Sequence, residues 1–416
     1  MNGEAASLTR YQLRVLAILA LINFVNFADR TVILPLFPVL REEFTLSGTQ
    51  LGSLQTVLQV VLSLATLPLA LLADRLSRTR IIAAGVVFWS LATFLTGAAH
   101  AFWLLLVARA LVGIGEAAYG PAAQSIISGT FSTAARGRAQ AVFAAGMLIG
   151  GAAGQALGGV LAEALGWRYA FFAVGVPGLL LGLTVLKLEE PPRGARSELL
   201  PMRVLLGVPA YSALVASGVL VTFAAISFIT WGPDYVVRFK GFSMREAGVS
   251  LGAVGFASLV LGVLAGGTIA DLLQKRYVHG RVVAIASGFL LATPFVLWAL
   301  ATENKQHVLA AFFLASFFMS WYHGPVTAVI HDMMPRRAHA TSVGLYMFVT
   351  QLVGGTLAPV LVGALDDRQT LQIGLLVAVV VMVLGALSLF LVVHFIRRDG
   401  LRHTSLDAYR AQHEET

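Results

Sequence analysis

Hydrophobic positions in this chain gather into long apolar stretches that are separated by short polar segments. A helix that crosses a bilayer needs roughly 20 mostly apolar residues. Twelve stretches meet that length, and we number them as spans 1 to 12. The pattern predicts an all-α integral membrane protein with twelve transmembrane helices at residues 11–38, 48–73, 80–99, 102–130, 136–163, 167–187, 207–237, 244–272, 281–301, 306–333, 339–365 and 370–396.

The strongest polar interruption lies between spans 6 and 7, where acids, arginines and prolines crowd together. It predicts a linker between two six-helix halves. The predicted domains are an N-terminal six-helix bundle, a cytoplasmic linker, a C-terminal six-helix bundle and a cytoplasmic tail, at 1–187, 188–206, 207–398 and 399–416 respectively.

Composition agrees with a membrane protein and excludes a soluble domain. The chain is 57% hydrophobic and 12% charged, whereas a soluble domain carries about 25% charged residues. It contains no cysteine, so disulfides and cysteine-bound metals are excluded. We expect no cofactor and no metal ion.

The basic residues determine the predicted orientation. With both termini in the cytoplasm, twenty lysines and arginines fall on that side and seven on the other, and two lie within spans. The positive-inside rule therefore predicts cytoplasmic termini in a multi-pass cell-membrane protein. The net charge of +8 follows from these loops, so we expect no nucleic-acid partner.

A short segment of an acid followed by bases occurs once in each half. Asp74, Arg75 and Arg78 follow span 2, and Asp271 precedes a lysine and an arginine after span 8. Such groups at helix ends can bind neighbouring helix termini and hold one side closed. We predict that these four residues act in gating.

Glycines mark the close contacts between helices. Span 5 carries glycines at 146, 150, 154 and 158, and span 11 carries Gly354, Gly355 and Gly363. Small residues four positions apart let helix backbones approach closely.

Four charged residues lie inside predicted spans of the first half, at positions where a charge costs about 2.5–3.5 kcal/mol or more. Asp29 and Arg30 are in span 1, and Arg109 and Glu116 are in span 4. Seven residues separate Arg109 from Glu116, about two helical turns, so both can point into one cavity. The four carry no net charge, and a purely structural ion-pair network is the competing interpretation.

Carboxylates and arginines suit different roles in such a cluster. Burial raises the pKa of a carboxyl and a neighbouring arginine lowers it, so a carboxyl between the two effects can load and release a proton. Asp29 and Glu116 are the predicted proton carriers. Arg30 and Arg109 suit an anionic head group, and Glu116 also faces the predicted substrate site.

Further candidates for the substrate site are mostly aromatic. His323 is the only histidine near the middle of a span. The other candidates, for which ordinary packing is the alternative, are Tyr119, Trp231, Trp321 and Tyr346.

Together these features resemble the major facilitator superfamily over essentially the whole chain. The segment around Asp74 is similar to that family's loop signature, with Ala70 and Ser77 where glycines are usual, and Trp167–Phe172 resembles the usual opening of span 6. The resemblance implies two pseudo-symmetric six-helix bundles, alternating access by rocking, and a monomer that suffices for transport.

Four segments resemble the spinster-type branch of that superfamily. They are Asn26–Arg30 in span 1, the Gly115-Glu116-Ala-Ala-Tyr119 run that follows Arg109, residues 335–340, and residues 352–363. In span 11 the His, Asp and Ser of that branch fall on Gln351, Gly355 and Ala358. The resemblance implies proton-linked transport of an amphipathic lipid such as a lysophospholipid or a sphingoid phosphate.

Three functions compete at this point. The first is proton-coupled secondary transport of such a lipid, and the second is proton-coupled transport of a small organic anion such as a sugar acid. The third is an uncoupled channel or lipid flippase. An enzyme is not expected, because the chain has neither a Gly-x-x-x-x-Gly-Lys-Ser/Thr phosphate loop nor a His-Glu-x-x-His metal pair. Sequence reasoning leaves the substrate, the direction of transport and the proton stoichiometry open.

Overall fold

A computed structural model describes residues 9–190, 201–335 and 338–399 of the chain. In the first half the helices are α1 (Arg10–Val32), α2 (Phe37–Phe44), α3 (Gly48–Arg75), α4 (Arg78–Gly97), α5 (Phe102–Ala117), α6 (Gly120–Thr130), α7 (Thr133–Ala164) and α8 (Trp167–Val185). The later helices are α9 (Met202–Leu206), α10 (Pro209–Lys240), α11 (Met244–Arg276), α12 (Gly280–Ala301), α13 (Lys305–Met319), α14 (His323–Met333), α15 (His339–Val349), α16 (Thr356–Arg368) and α17 (Leu371–Asp399).

The predicted all-α membrane architecture is confirmed. Within the described residues, eleven helical segments are long and apolar enough to cross a membrane. The remaining predicted span, 306–333, is formed by α13 and α14 with a 3-10 turn between them at Ser320–Tyr322. The sequence therefore placed all twelve spans, but it predicted several of them as continuous helices.

Interruptions divide spans 1, 4, 10 and 11. Span 1 passes through a 3-10 turn at Leu34–Leu36, which contains Pro35. Span 4 breaks between α5 and α6, where Pro121 stands in the first turn of α6. Span 11 contains a π-helical segment at Thr350–Gly355. Pro is tolerated in a first turn because that N–H has no helical partner.

The described helices divide into two compact units. The first unit comprises Met1–Arg196 and Val236–Ala253, and the second comprises Ser197–Tyr235 and Val254–Thr416. The ends of α10 and α11 that meet near residue 241 therefore belong to the first unit. The predicted domain bounds remain a prediction, and residues 191–200 and 400–416, which belong to the predicted linker and tail, lie outside the described residues.

In the first unit, glycines of α7 lie against the backbone of α1. A β-carbon at Gly146, Gly150 or Gly154 would collide with a carbonyl oxygen of α1, namely that of Ala20, Phe24 or Ala28. The four-residue spacing thus holds α1 and α7 in close contact, as predicted for small residues in membrane helices. This contact fixes α1, the helix that carries two of the predicted charged residues.

Candidate functional site

The last turn of α1 carries the first two site residues. Asp29 is completely buried, whereas the side chain of Arg30 is 24% exposed. The helix ends two residues later at Val32, and the chain continues through the 3-10 turn. Neighbouring positions on a helix point in different directions, so these two side chains reach different partners.

The residues that pair with Asp29 and Arg30 lie on α5. Arg109 and Glu116 are both buried, and they lie on the same helix two turns apart. Glu116 is in the last turn of α5, beside the break before α6. The seven-residue spacing thus presents both side chains to α1.

Two ion pairs connect α1 with α5. Arg30 Nε lies 2.7 Å from Glu116 Oε2. Arg109 Nη1 lies 3.5 Å from Asp29 Oδ1, with both side chains fully buried. The structure therefore brings together all four charged residues that the sequence singled out. Their roles in transport stay a prediction.

Two neutral side chains complete this cluster, and sequence reasoning did not find them. The hydroxyl of Thr93 on α4 donates to Asp29 Oδ2 at 2.5 Å. Gln55 on α3 accepts from Arg109 Nη2 at 3.2 Å. Both are common residues without a motif, and only the packing of α3 and α4 places them beside the charges.

A cavity of about 340 Å³ opens beside the Arg30–Glu116 pair. Two buried polar atoms of its lining residues, Glu116 Oε1 and Asn26 Nδ2, have no hydrogen-bond partner among the described residues. An apolar part of the wall is formed by Phe27, Phe143, Ala144 and Met147. Arg30 also stands over the ring of Phe27, 4.8 Å from its centroid. The cavity thus combines a charged end with an apolar wall.

Tyr119 lines this cavity, but its hydroxyl is already engaged. It donates to the carbonyl of Leu19 at 2.5 Å, and its ring packs edge-on against Trp89. The ring therefore shapes the wall, while its polar end fastens α1.

The candidates of the second unit contact several neighbours, and Tyr322 contacts two of them, Tyr346 and His323. Trp231 is buried and donates to the carbonyl of Pro359 at 3.1 Å. Trp321 lies against Gly266 and Gly288. Tyr346 is buried and donates to the hydroxyl of Tyr322 at 3.1 Å. His323, beside Tyr322, is exposed.

The structure describes the side chains of three of the four predicted gating residues. Arg75 is exposed at the end of α3, and Arg78 is buried and begins α4 with its N–H donating to Glu190 Oε1 at 2.8 Å. The side chain of Asp74 lies outside the described part of the structure.

In the second acidic segment, Asp271 pairs with Arg281, whose Nη2 lies 3.0 Å from Asp271 Oδ1. The same guanidinium reaches Asp332 Oδ2 at 2.6 Å. Arg281 therefore bridges the ends of α11 and α14, a contact that the sequence did not predict.

One segment of α11 matches a pattern associated with hydrolases. Residues Gly248-Val-Ser-Leu-Gly252 match Gly-x-Ser-x-Gly, but a nucleophile elbow requires a sharp turn between a strand and a helix. Here the run lies inside α11, and both glycines face backbone carbonyls of α7, at Gln155 and Ala152. It forms a helix-packing surface. Within the described residues, no group of three or more acidic, histidine or cysteine side chains could hold a metal ion.

Comparison with known proteins agrees with the geometry. Residues 19–359 match the sequence profile of the Major Facilitator Superfamily. Protein spinster homolog 1 of Xenopus laevis is 26% identical over 85% of this chain and 73% of its own length. The sphingosine-1-phosphate transporter SPNS2 of Danio rerio is 26% identical over 84% of this chain and 75% of its own length. A probable L-galactonate transporter of Escherichia coli is 24% identical over 94% of this chain and 91% of its own length.

A solved structure extends the likeness to the whole fold. The crystal structure of a bacterial homolog to the human lysosomal transporter Spinster, in an inward-facing and occupied conformation, superimposes with a TM-score of 0.86 at 25% identity. The match covers 94% of this chain and 99% of that one. The predicted fold class, twelve helices in two six-helix bundles, is confirmed.

Proposed function

Because this chain belongs to the Major Facilitator Superfamily and is a transporter of the spinster type, we propose that it moves an amphipathic lipid with a charged head group across the membrane. Transport is coupled to protons and proceeds by alternating access. The substrate is of the lysophospholipid or sphingoid-phosphate kind. The protein acts as a monomer in the cell membrane with both termini in the cytoplasm.

The observation that carries this proposal is the mixed character of the cavity. Arg30 supplies a partly exposed guanidinium, while Glu116 Oε1 and Asn26 Nδ2 are buried and have no hydrogen-bond partner in the described part of the chain. Buried polar groups without partners are costly, and a polar head group would satisfy them. Phe27, Phe143 and Met147 offer an apolar surface to the adjoining part of a lipid.

Proton coupling is assigned to the two carboxylates of the cluster. Asp29 is fully buried, and its ion pair with Arg109 is long at 3.5 Å. Glu116 has one oxygen bound to Arg30 and one that finds no partner among the residues that the structure describes. Arginine does not give up its proton in proteins, so any change of protonation in this cluster falls on the acids.

Binding of oleoyl lysophosphatidylcholine to the purified protein, measured beside binding of galactonate, tests the substrate class. We expect saturable binding of the lipid that is weakened by Arg30→Ala and by Glu116→Gln. The matched controls are Arg168→Ala and Glu43→Gln, which alter an exposed ion pair of the same unit and should leave binding unchanged. Binding of galactonate alone would contradict the lipid assignment.

Uptake into proteoliposomes under an imposed proton gradient tests the coupling. We expect Asp29→Asn and Glu116→Gln each to reduce accumulation of the lipid and to alter its dependence on pH. An unchanged dependence on pH in both variants would contradict the coupling. Failure of the unaltered protein to concentrate the lipid would instead indicate an uncoupled channel or flippase.

A second candidate function is transport of a small organic acid. Seven of the twelve residues that line the cavity are polar, including Gln124 and Gln140, whose side chains bind each other at 2.6 Å. The similarity to a probable L-galactonate transporter supports this alternative. The binding experiment above separates the two substrate classes directly.

A further inference from the structure

Gln55 lies between the two ion pairs of the cluster and contacts one member of each. Its Oε1 accepts a hydrogen bond from Arg109 Nη2 at 3.2 Å, and its Nε2 donates to the backbone carbonyl of Arg30 at 3.3 Å. The side chain comes from α3, a helix that carries none of the four charges. One neutral amide thus joins the Asp29–Arg109 pair to the residue that forms the other pair.

The contact with Arg30 uses a backbone group that is open to a new partner. Arg30 stands in the last turn of α1, directly before the 3-10 turn, where backbone carbonyls often accept hydrogen bonds from outside the helix. An amide donor from another helix satisfies that carbonyl. It also fixes the position of the Arg30 backbone, from which the side chain reaches Glu116.

The contact with Arg109 gains importance when Asp29 takes up a proton. Within the described residues, Arg109 Nε has no partner, Nη1 lies 3.5 Å from Asp29 and Nη2 binds Gln55. Neutralising Asp29 removes the ionic attraction that holds Nη1. The amide of Gln55, already the nearer acceptor at 3.2 Å, then becomes the main partner of the guanidinium, so a shift of Arg109 pulls on Gln55.

We propose that Gln55 is a positioning residue that transmits the protonation state of the Asp29–Arg109 pair to the Arg30–Glu116 pair. This inference rests on the proposed function. The amide oxygen accepts from the guanidinium of Arg109, and the amide nitrogen donates to the carbonyl of Arg30. No other natural side chain of this length offers both an acceptor and a donor. Movement of Arg109 therefore changes how Arg30 meets a substrate.

The test measures lysophosphatidylcholine binding to the full-length protein from mildly acidic to mildly alkaline pH. Gln55→Leu and Gln55→Met both remove the amide and its two hydrogen bonds, and methionine keeps the unbranched length of glutamine without adding an ionisable group. The control is Gln59→Leu, one turn further along α3, because Gln59 makes no side-chain hydrogen bond to the four charged residues in the described structure. Thermal unfolding is followed for each variant.

We expect Gln55→Leu and Gln55→Met to bind the lipid but to lose the dependence of affinity on pH, while Gln59→Leu keeps it. Because Gln55→Met preserves the length and the neutrality of the side chain, a merely structural role predicts an unaltered pH profile for that variant. Retention of the unaltered protein's pH profile by both Gln55 variants would overturn the proposal. If the unaltered protein itself shows no dependence on pH, the proton coupling fails and this proposal fails with it.

Discussion

The two units differ in the chemistry of their interior side chains more than in the way their helices pack. The first unit holds a fully buried ion pair, Asp29–Arg109, and a partly buried one, Arg30–Glu116. The candidate residues of the second unit form neutral contacts, such as Tyr346 with Tyr322 and Trp231 with a carbonyl. Its buried acids, Asp234 and Asp366, lie near the ends of α10 and α16.

Their helix packing, in contrast, uses the same device. Gly154 of the first unit faces the carbonyl of Ala28, and Gly354 of the second faces the carbonyl of Val219. A repeated architecture therefore conserves close backbone contacts in both units, while ionisable side chains are concentrated in one. We expect the first unit to determine how substrate and protons are recognised.

The largest effect is expected from separating the buried ion pair. Arg109→Met leaves the Asp29 carboxylate buried without its cation, and breaking such a pair costs about 3–5 kcal/mol. We expect a large fall in thermal stability and a loss of transport. Adding Asp29→Asn removes the uncompensated charge, so the double variant should regain much of the stability and none of the transport. Equal stability of single and double variants would show that the pair is not the cause.

A smaller effect, equal in both units, is expected from filling the glycine contacts. A β-carbon at Gly154 or Gly354 would meet a rigid backbone carbonyl, and overpacking of this kind costs about 1–3 kcal/mol. The controls are Gly137→Ala on α7 and Gly344→Ala on α15, where a β-carbon meets no atom within 4 Å. Thermal unfolding should separate the tight positions from the open ones. If the substitution lowers thermal stability in only one unit, the helix packing of the two units is not equivalent.

The smallest effect is expected at the exposed ion pairs of the second unit. The side chain of Asp271 is 65% exposed and that of Asp332 is 39% exposed, and pairs of this kind contribute about 1 kcal/mol or less. We expect Arg281→Gln to lower stability slightly in low salt and hardly at all in high salt, because salt screens exposed charges. The destabilisation by Arg109→Met should persist in high salt. A salt-independent effect of Arg281→Gln would contradict the contrast.

Much of the fold was readable from the sequence because its cause is local. Apolar length placed the twelve spans, and the glycine spacing of α7 indicated a close helix contact, although only the structure shows that its partner is α1. The four charged residues were found because charge inside a span is rare. Their pairing across α1 and α5 followed from helical spacing and from their opposite charges.

The rest depended on packing between distant segments. Gln55 and Thr93 carry no signal of their own, and only the positions of α3 and α4 bring them to the cluster. The bridge from Arg281 to Asp332 spans 51 positions in the sequence. The aromatic residues of the second unit were grouped because of their type, and the sequence did not show that Tyr322 contacts both Tyr346 and His323. Type alone does not determine where a ring lies.

The π-helical segment at Thr350–Gly355 changes how span 11 should be aligned with related chains. A π turn accommodates one extra residue, and each residue of a helix adds about 100° of rotation. Before the segment, side chains that share a face of the helix are therefore about four positions apart. Across the segment, side chains that share a face are five positions apart. Gln351 and Gly355 lie inside the segment and Ala358 follows it. Where a related chain has a regular α-helix here, a residue-by-residue alignment compares positions that face different directions, so equivalence there must be established in three dimensions.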